Sequence, residues 1–128
     1  SDIVIAATGR AGLIPAARVR TGQIVFALSN PYPEIDPGVA VAAGAAFASD
    51  GRSINNILAY PGLFKGALAV RSRSITPEMK IVAAETIARL AEPGEVVPSP
   101  FSMELHSEVA SRVARMAIDQ GLENTLRL

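Results

Sequence analysis

The sequence predicts an α/β fold built on a parallel sheet, and three observations carry that prediction. Short apolar runs with β-branched members recur at residues 2–7, 23–28 and 45–48, each closed by turn-forming residues, which is the pattern of strands buried on both faces. Segments with helical spacing and helix-starting residues lie between and after them. Parallel strands covered on both faces need crossover helices, so the two kinds of segment imply a single α/β winding.

The first run, DIVIAA, ends at Thr8-Gly9. The second, QIVFAL, is stopped by Ser29-Asn30-Pro31, and the third and weakest, AAFA, precedes Ser49-Asp50-Gly51. Between them Asp36-Pro37 supplies an N-cap and a first-turn proline, and Gly44 can close that short helix in the left-handed conformation. Residues 53–70 are apolar at helical spacing but contain Pro61-Gly62, so two short helices or one kinked helix are expected. Thr76-Pro77-Glu78 starts a helix that should run to about Glu92, apolar through Met79, Val82, Ala83, Ile87 and Leu90, with Glu85 and Arg89 paired on its wet side and Pro93-Gly94 as its stop. The passage 97–100 reads as an extended connector. A last helix starts at Ser102, carries Leu105, Val109, Val113 and Met116 on one stripe, and ends at Gly121. There is no internal repeat or low-complexity tract.

The first apolar run opens at residue 3, with no earlier strand to pair beside it. In a doubly wound dinucleotide fold, upstream strands carry the glycine-rich turn and the later ones form the nicotinamide half. The expectation is therefore the second half of a Rossmann-like doubly wound parallel sheet, three short strands with flanking helices. Residues 9–12, GRAG, have the wrong spacing for the G-x-G-x-x-G fingerprint. Folded alone, such a chain exposes a sheet edge near residues 3–7, which invites dimerisation or aggregation.

Composition excludes several functions. The 128 residues suit one domain, and formal net charge is zero with Lys and Arg scattered, so neither nucleic acid nor a membrane surface is an expected partner. Cysteine is absent, which removes disulfide and thiolate chemistry and fits a cytoplasmic setting. The longest apolar stretch, residues 39–48, is far below the roughly 18 residues of a membrane helix, and the N-terminus shows no signal pattern. His106 stands alone, so no zinc-type site is available and its expected role is structural.

Candidate site residues lie where strands end, because ligands of open α/β sheets collect at the carboxyl ends. Asn30 directly follows the second run, and Pro31 keeps it out of helical geometry. Its carboxamide could hold a substrate carboxylate and a hydroxyl, or simply close an Asx turn. Asn55-Asn56 follows the third run; one of the pair is explained by capping, and the other could face a polar ligand. Thr8-Gly9 could let a ribose or nicotinamide approach bare backbone, or be an ordinary turn. Capping and solvation account for Glu34, Asp36, Asp50 and Glu78, which form no metal cage, and Lys65, Arg71 and Arg73 read as a solvated basic face.

At FALSNPYPE, INNILAYPGLFKGAL and VPSPF the chain resembles bacterial-type malic enzymes, in the same order and over essentially its whole length. The resemblance implies the C-terminal part of an NAD(P)-binding domain over residues 1–128. It also implies oxidation of L-malate with NAD or NADP, then decarboxylation to pyruvate and CO2 with bound Mg2+ or Mn2+, in a homo-oligomer such as a dimer. By position it places Asn30 at the junction of cofactor and malate, lets Asn55 and Asn56 divide nicotinamide and malate contacts, and puts Thr8 and Gly9 beside the cofactor. The cofactor-binding set is thus Thr8, Gly9, Asn30 and Asn55, and the substrate-binding set Asn30 and Asn56. The family's metal acids, catalytic tyrosine and lysine, and glycine fingerprint would precede Ser1; Tyr32 and Tyr60 do not match that tyrosine, and no lysine here matches the catalytic one. No catalytic or metal-ligating residue is therefore expected within the chain, and the isolated polypeptide is expected to be inactive. One departure is the short SDGRSINN, where the family carries a longer loop before I-N-N. The alternative from another class is a non-catalytic nucleotide-binding or interaction module on a similar core. A homocysteinase-like NAD enzyme draws on DIVIAATG alone and leaves INNILAYPG unexplained.

Overall fold

A computed structural model describes residues 1–93 and 95–124. The chain divides into two compact units, the first Ser1–Asn55 and the second from Asn56 onward.

The first unit is a three-stranded parallel sheet in the order β1 (Ile3–Ala6), β2 (Ile24–Ala27), β3 (Phe47–Asp50). Ile3 pairs with Ile24 and Ile24 with Phe47, so the strands start nearly level and their carboxyl ends share one rim. Because side chains alternate across a strand, Val25 and Ala27 fall on one face, where they are buried with Ile35, Ala40 and Ala45. That face is covered by helix α1 (Pro37–Ala42) and by Ile14 and Val19, which flank the 3₁₀ turn Ala16–Arg18. Asp36 caps α1 as expected, its Oδ1 accepting from the Gly38 and Val39 amides at 2.8 and 3.2 Å. Gly44 follows at φ 108°, where a side chain would be strained.

Two expectations about the strands are corrected. The third strand lies at Phe47–Asp50 rather than 45–48: its ladder to β2 takes in Ser49 and Asp50, which read as a stop. Pairing overrides propensity there because the Asp50 carboxylate is satisfied by the Arg52 and Ser53 amides. Burial on both faces does not hold for β1, where Ile3 and Ile5 are 52% and 69% exposed. They lie on the face opposite the α1 layer, and β1 is an outer strand of the sheet.

The second unit packs α2 (Tyr60–Ala69), α3 (Pro77–Arg89) and α4 (Met103–Asp119) around Leu63, Met79, Ala83, Val109 and Val113. The expected pair of short helices over residues 53–70 is a 3₁₀ turn, Asn56–Leu58, followed by α2. Pro61 sits in the first turn of α2, where its missing N–H is harmless. Gly62 and Gly66 are buried against α4, and a Cβ built on Gly62 would lie 2.7 Å from Val109 Cβ. One built on Gly66 would run into the Ala110 carbonyl oxygen. Thr76 and Ser102 cap α3 and α4, accepting from Met79 N and Leu105 N at 3.2 Å each. The predicted stripes are the buried ones, with Val82, Leu90 and Met116 only partly covered. Arg89 pairs with Glu85 at 3.8 Å on the exposed side. Helix α3 ends at Arg89 rather than about Glu92, since Pro93 disfavours helical geometry at Glu92 and its ring would crowd the Arg89 carbonyl. Of the expected Pro93-Gly94 stop, Gly94 lies outside the described residues. Among the described residues no helix is long and apolar enough to cross a membrane.

Candidate functional site at the carboxyl ends of the strands

The loops after β1, β2 and β3 meet at one rim of the sheet, and Glu34 joins the first two. Its side chain is fully buried. Oε1 accepts from the Thr8 amide at 2.6 Å, the Thr8 hydroxyl at 2.8 Å and the Ser29 hydroxyl at 2.5 Å; Oε2 accepts from the Ser29 amide at 3.3 Å. The expectation that capping and solvation explain Glu34 is thus overturned: a carboxylate leaves water only where several donors replace it, and the loops after β1 and β2 supply them. Burial alone would raise its pKa, but the bonds from Ser29 and Thr8 outweigh that and hold it down at about 2.

Ser29 extends the network, since its hydroxyl also accepts from the Gly9 amide at 2.8 Å. Gly9 has φ 72°, and nothing lies within 4 Å of where a Cβ would stand, so its backbone faces open space. Asn30 is exposed, and its Nδ2 donates to the Gly51 carbonyl at 2.8 Å, linking the ends of β2 and β3. The Asx turn considered for Asn30 is therefore replaced by a bond to another strand's end. Gly51 is what permits it, because a Cβ there would stand 2.7 Å from Asn30 Nδ2. The Asn30–Pro31 peptide bond is cis.

At the end of β3, Asp50 is 7% exposed and paired with Arg52 Nε at 3.1 Å, which again replaces the solvated reading. Burial pushes its pKa up, and the amides of Ser53 and Arg52 with the Arg52 guanidinium bring it below the usual value. Thr8, Gly9 and Asn30 are thus brought to one rim with Ser29, Glu34 and Gly51. Asn55 is exposed and donates from Nδ2 to the Arg52 carbonyl at 3.1 Å, and Asn56 opens the second unit at the start of its 3₁₀ turn. Of the remaining candidates, Glu78 is exposed at the start of α3; its own amide and the side chains of Gln120 and Thr76 lower its pKa. His106 Nε2 lies 2.7 Å from the Pro100 carbonyl, and Arg73 donates to the Gly121 carbonyl at 2.7 Å. A cavity of about 450 Å³ lies elsewhere, between Leu13, Ile14, Val19 and the strand residues Val4 and Val25.

Sequence reasoning missed Ser29, Glu34 and Gly51. The signal available was a carboxylate four residues past a strand-ending asparagine.

The model of the malic enzyme NAD-binding domain matches residues 39–118. The chain belongs to the malic enzyme family. It is 52% identical over 117 residues to NAD-dependent malic enzyme 1 of Bacillus subtilis, a match covering 91% of this chain and 27% of that protein. It is 45% identical over 109 residues to the bifunctional malic/malolactic enzyme of the same organism, covering 77% of this chain and 27% of that protein. The crystal structure of malic enzyme from Pyrococcus horikoshii superposes with a TM-score of 0.87 at 38% identity, covering 98% of this chain and 32% of that one. The chain thus spans about a quarter to a third of the length of these three malic enzymes. Its parallel strands with flanking helices belong to the Rossmann-like NAD-binding domain of that family.

Proposed function

We propose that this chain is the C-terminal part of the NAD(P)-binding domain of a malic enzyme, and that it supplies cofactor and malate contacts for oxidative decarboxylation of L-malate to pyruvate and CO2. The observation that carries the reading is the joining of Thr8-Gly9, Ser29-Asn30 and Gly51 at the strand ends of a chain belonging to this family. NAD or NADP bound at this rim would supply the hydride acceptor for malate oxidation, and the residues of the chain would align the two and exclude side reactions. The open backbone at Gly9 fits close approach by a nicotinamide ring or its ribose. Asn30, braced by Gly51, presents an uncharged amide at the junction of cofactor and malate, and Asn55 and Asn56 divide the remaining nicotinamide and malate contacts.

Mg2+ or Mn2+ belongs to this reading, but among the described residues no group of three His, Cys, Asp or Glu could hold a metal ion. Its ligands are assigned to parts of the malic enzyme that this chain does not span. The same reading carries a homodimer in the cytoplasm, and the absence of cysteine fits that compartment.

The test is an assay of the full-length polypeptide that contains this chain, with Mn2+ or Mg2+, for malate-dependent formation of NADH or NADPH and of pyruvate. Turnover that falls at least roughly a hundredfold in Asn30→Ala, the scale of losing a positioning contact, supports the reading. Dinucleotide binding without turnover favours the non-catalytic module.

A further inference from the structure

We infer that Glu34 is a positioning residue for the nicotinamide cofactor, tying the Thr8-Gly9 turn to the Ser29-Asn30 strand end and so setting the backbone surface on which the cofactor rests. This inference rests on the proposed malic enzyme function.

The Glu34 carboxylate is fully buried where two strand ends meet. All four of its hydrogen bonds to other residues come from Thr8 and Ser29, on separate strand ends. None of the salt bridges among the described residues includes it. A buried carboxylate without a cation is a costly way to fill space, and closing two turns does not by itself require one. What a charge accomplishes, and an apolar residue does not, is to orient several donors toward one point. Those donors belong to the segments assigned to the cofactor and malate.

Ser29 passes the effect on. Its hydroxyl accepts from the Gly9 amide and donates to Glu34 Oε1. With its proton committed to the carboxylate, a lone pair remains for Gly9. The orientation of the Gly9 peptide, the open backbone at the candidate cofactor surface, therefore depends on Glu34 through one hydroxyl. Asn30 follows Ser29 directly, and the Ser29 amide donates to Oε2.

The two oxygens are unequal, and this makes the inference testable by a conservative change. Oε1 accepts three bonds of 2.5–2.8 Å, whereas Oε2 accepts one at 3.3 Å. A glutamine can keep the first oxygen and give up only the weaker contact. Alanine gives up all four.

The experiment uses the full-length polypeptide carrying this chain. NADH and NADPH affinities are measured by fluorescence titration, with KM for dinucleotide and malate beside kcat, for wild type, Glu34→Gln, Glu34→Ala and Ser29→Ala. Melting temperatures are recorded for each. Glu34→Ala is expected to weaken dinucleotide binding roughly tenfold or more, Ser29→Ala by roughly three- to tenfold, and Glu34→Gln by no more than about threefold, the scale of one to several lost hydrogen bonds. A folded Glu34→Ala protein that is less stable but binds dinucleotide like wild type overturns the positioning role. If that variant does not fold, Ser29→Ala decides, since unchanged affinity there overturns the relay. A wild-type protein that binds no dinucleotide overturns the malic enzyme reading itself, whereas a wild type that binds while its variants match it overturns only this inference.

Discussion

At the scale of single residues, acid and amide side chains at the strand ends differ in how openly the sequence declares them. Asn30 is legible because a strand-length apolar run stops at it and Pro31 restricts it. Glu34 is not, because a charged letter in a proline-rich loop reads as solvated, and only the meeting of two loops buries it. Its pKa of about 2 against an ordinary 4.5 fixes the sign of a pH effect. A depressed acid contributes stability in full above its unfolded pKa and loses it as pH falls through the folded one. The stability advantage of wild type over Glu34→Gln should therefore shrink between pH 4.5 and 2, by at most roughly 3 kcal/mol. Denaturant titrations at pH 7, 4.5 and 2.5 check this, and an advantage independent of pH would refute it. Asp50 adds to the loss in both proteins, its pKa being lowered in the same direction.

At the scale of elements, the helix starts were legible and one helix contact was not. Asp36, Thr76 and Ser102 act through bonds to amides two or three residues away, a local device visible in the letters. Thr76→Ala should cost about 1 kcal/mol of stability, read as a shift in the denaturation midpoint. Pro61-Gly62 looked like an interruption and is instead a start followed by a contact surface. Helix propensity alone says that Gly62→Ala and Gly66→Ala stabilise by about 1 kcal/mol each. Packing should reverse that sign, because the added methyl meets Val109 in one case and the backbone of Ala110 in the other. Net losses of about 1–3 kcal/mol are expected, larger at Gly66, where a carbonyl cannot rotate away as a side chain can. A more stable variant at either position would mean that α2 and α4 separate more easily than their glycines suggest.

At the scale of the whole molecule, the proposed reading makes this chain one part of a catalyst rather than all of it. Among its described residues no group of three His, Cys, Asp or Glu could hold a metal ion, and it spans 27% of each of the two Bacillus subtilis malic enzymes. The 128-residue polypeptide by itself should show no malate-dependent NADH or NADPH formation; measurable turnover would place catalytic groups within it. Its outer strand β1, with Ile3 and Ile5 exposed, should make it self-associate in sedimentation. A sharp monomer of 13.3 kDa would refute that.

The sequence by itself determined the α/β class, two of the three strands to within a residue at each end, the capped helix starts, and the strand-end positions of Thr8, Gly9 and Asn30. These depend on contacts between near neighbours: backbone torsions, first-turn amides and the periodicity of apolar side chains. Tertiary structure decided the register that carries β3 through Ser49 and Asp50, the close approach of α2 to α4 at Gly62 and Gly66, and the burial of Glu34 between two loops. Each depends on partners distant along the chain, where ladder pairing, steric exclusion and desolvation outweigh local preference.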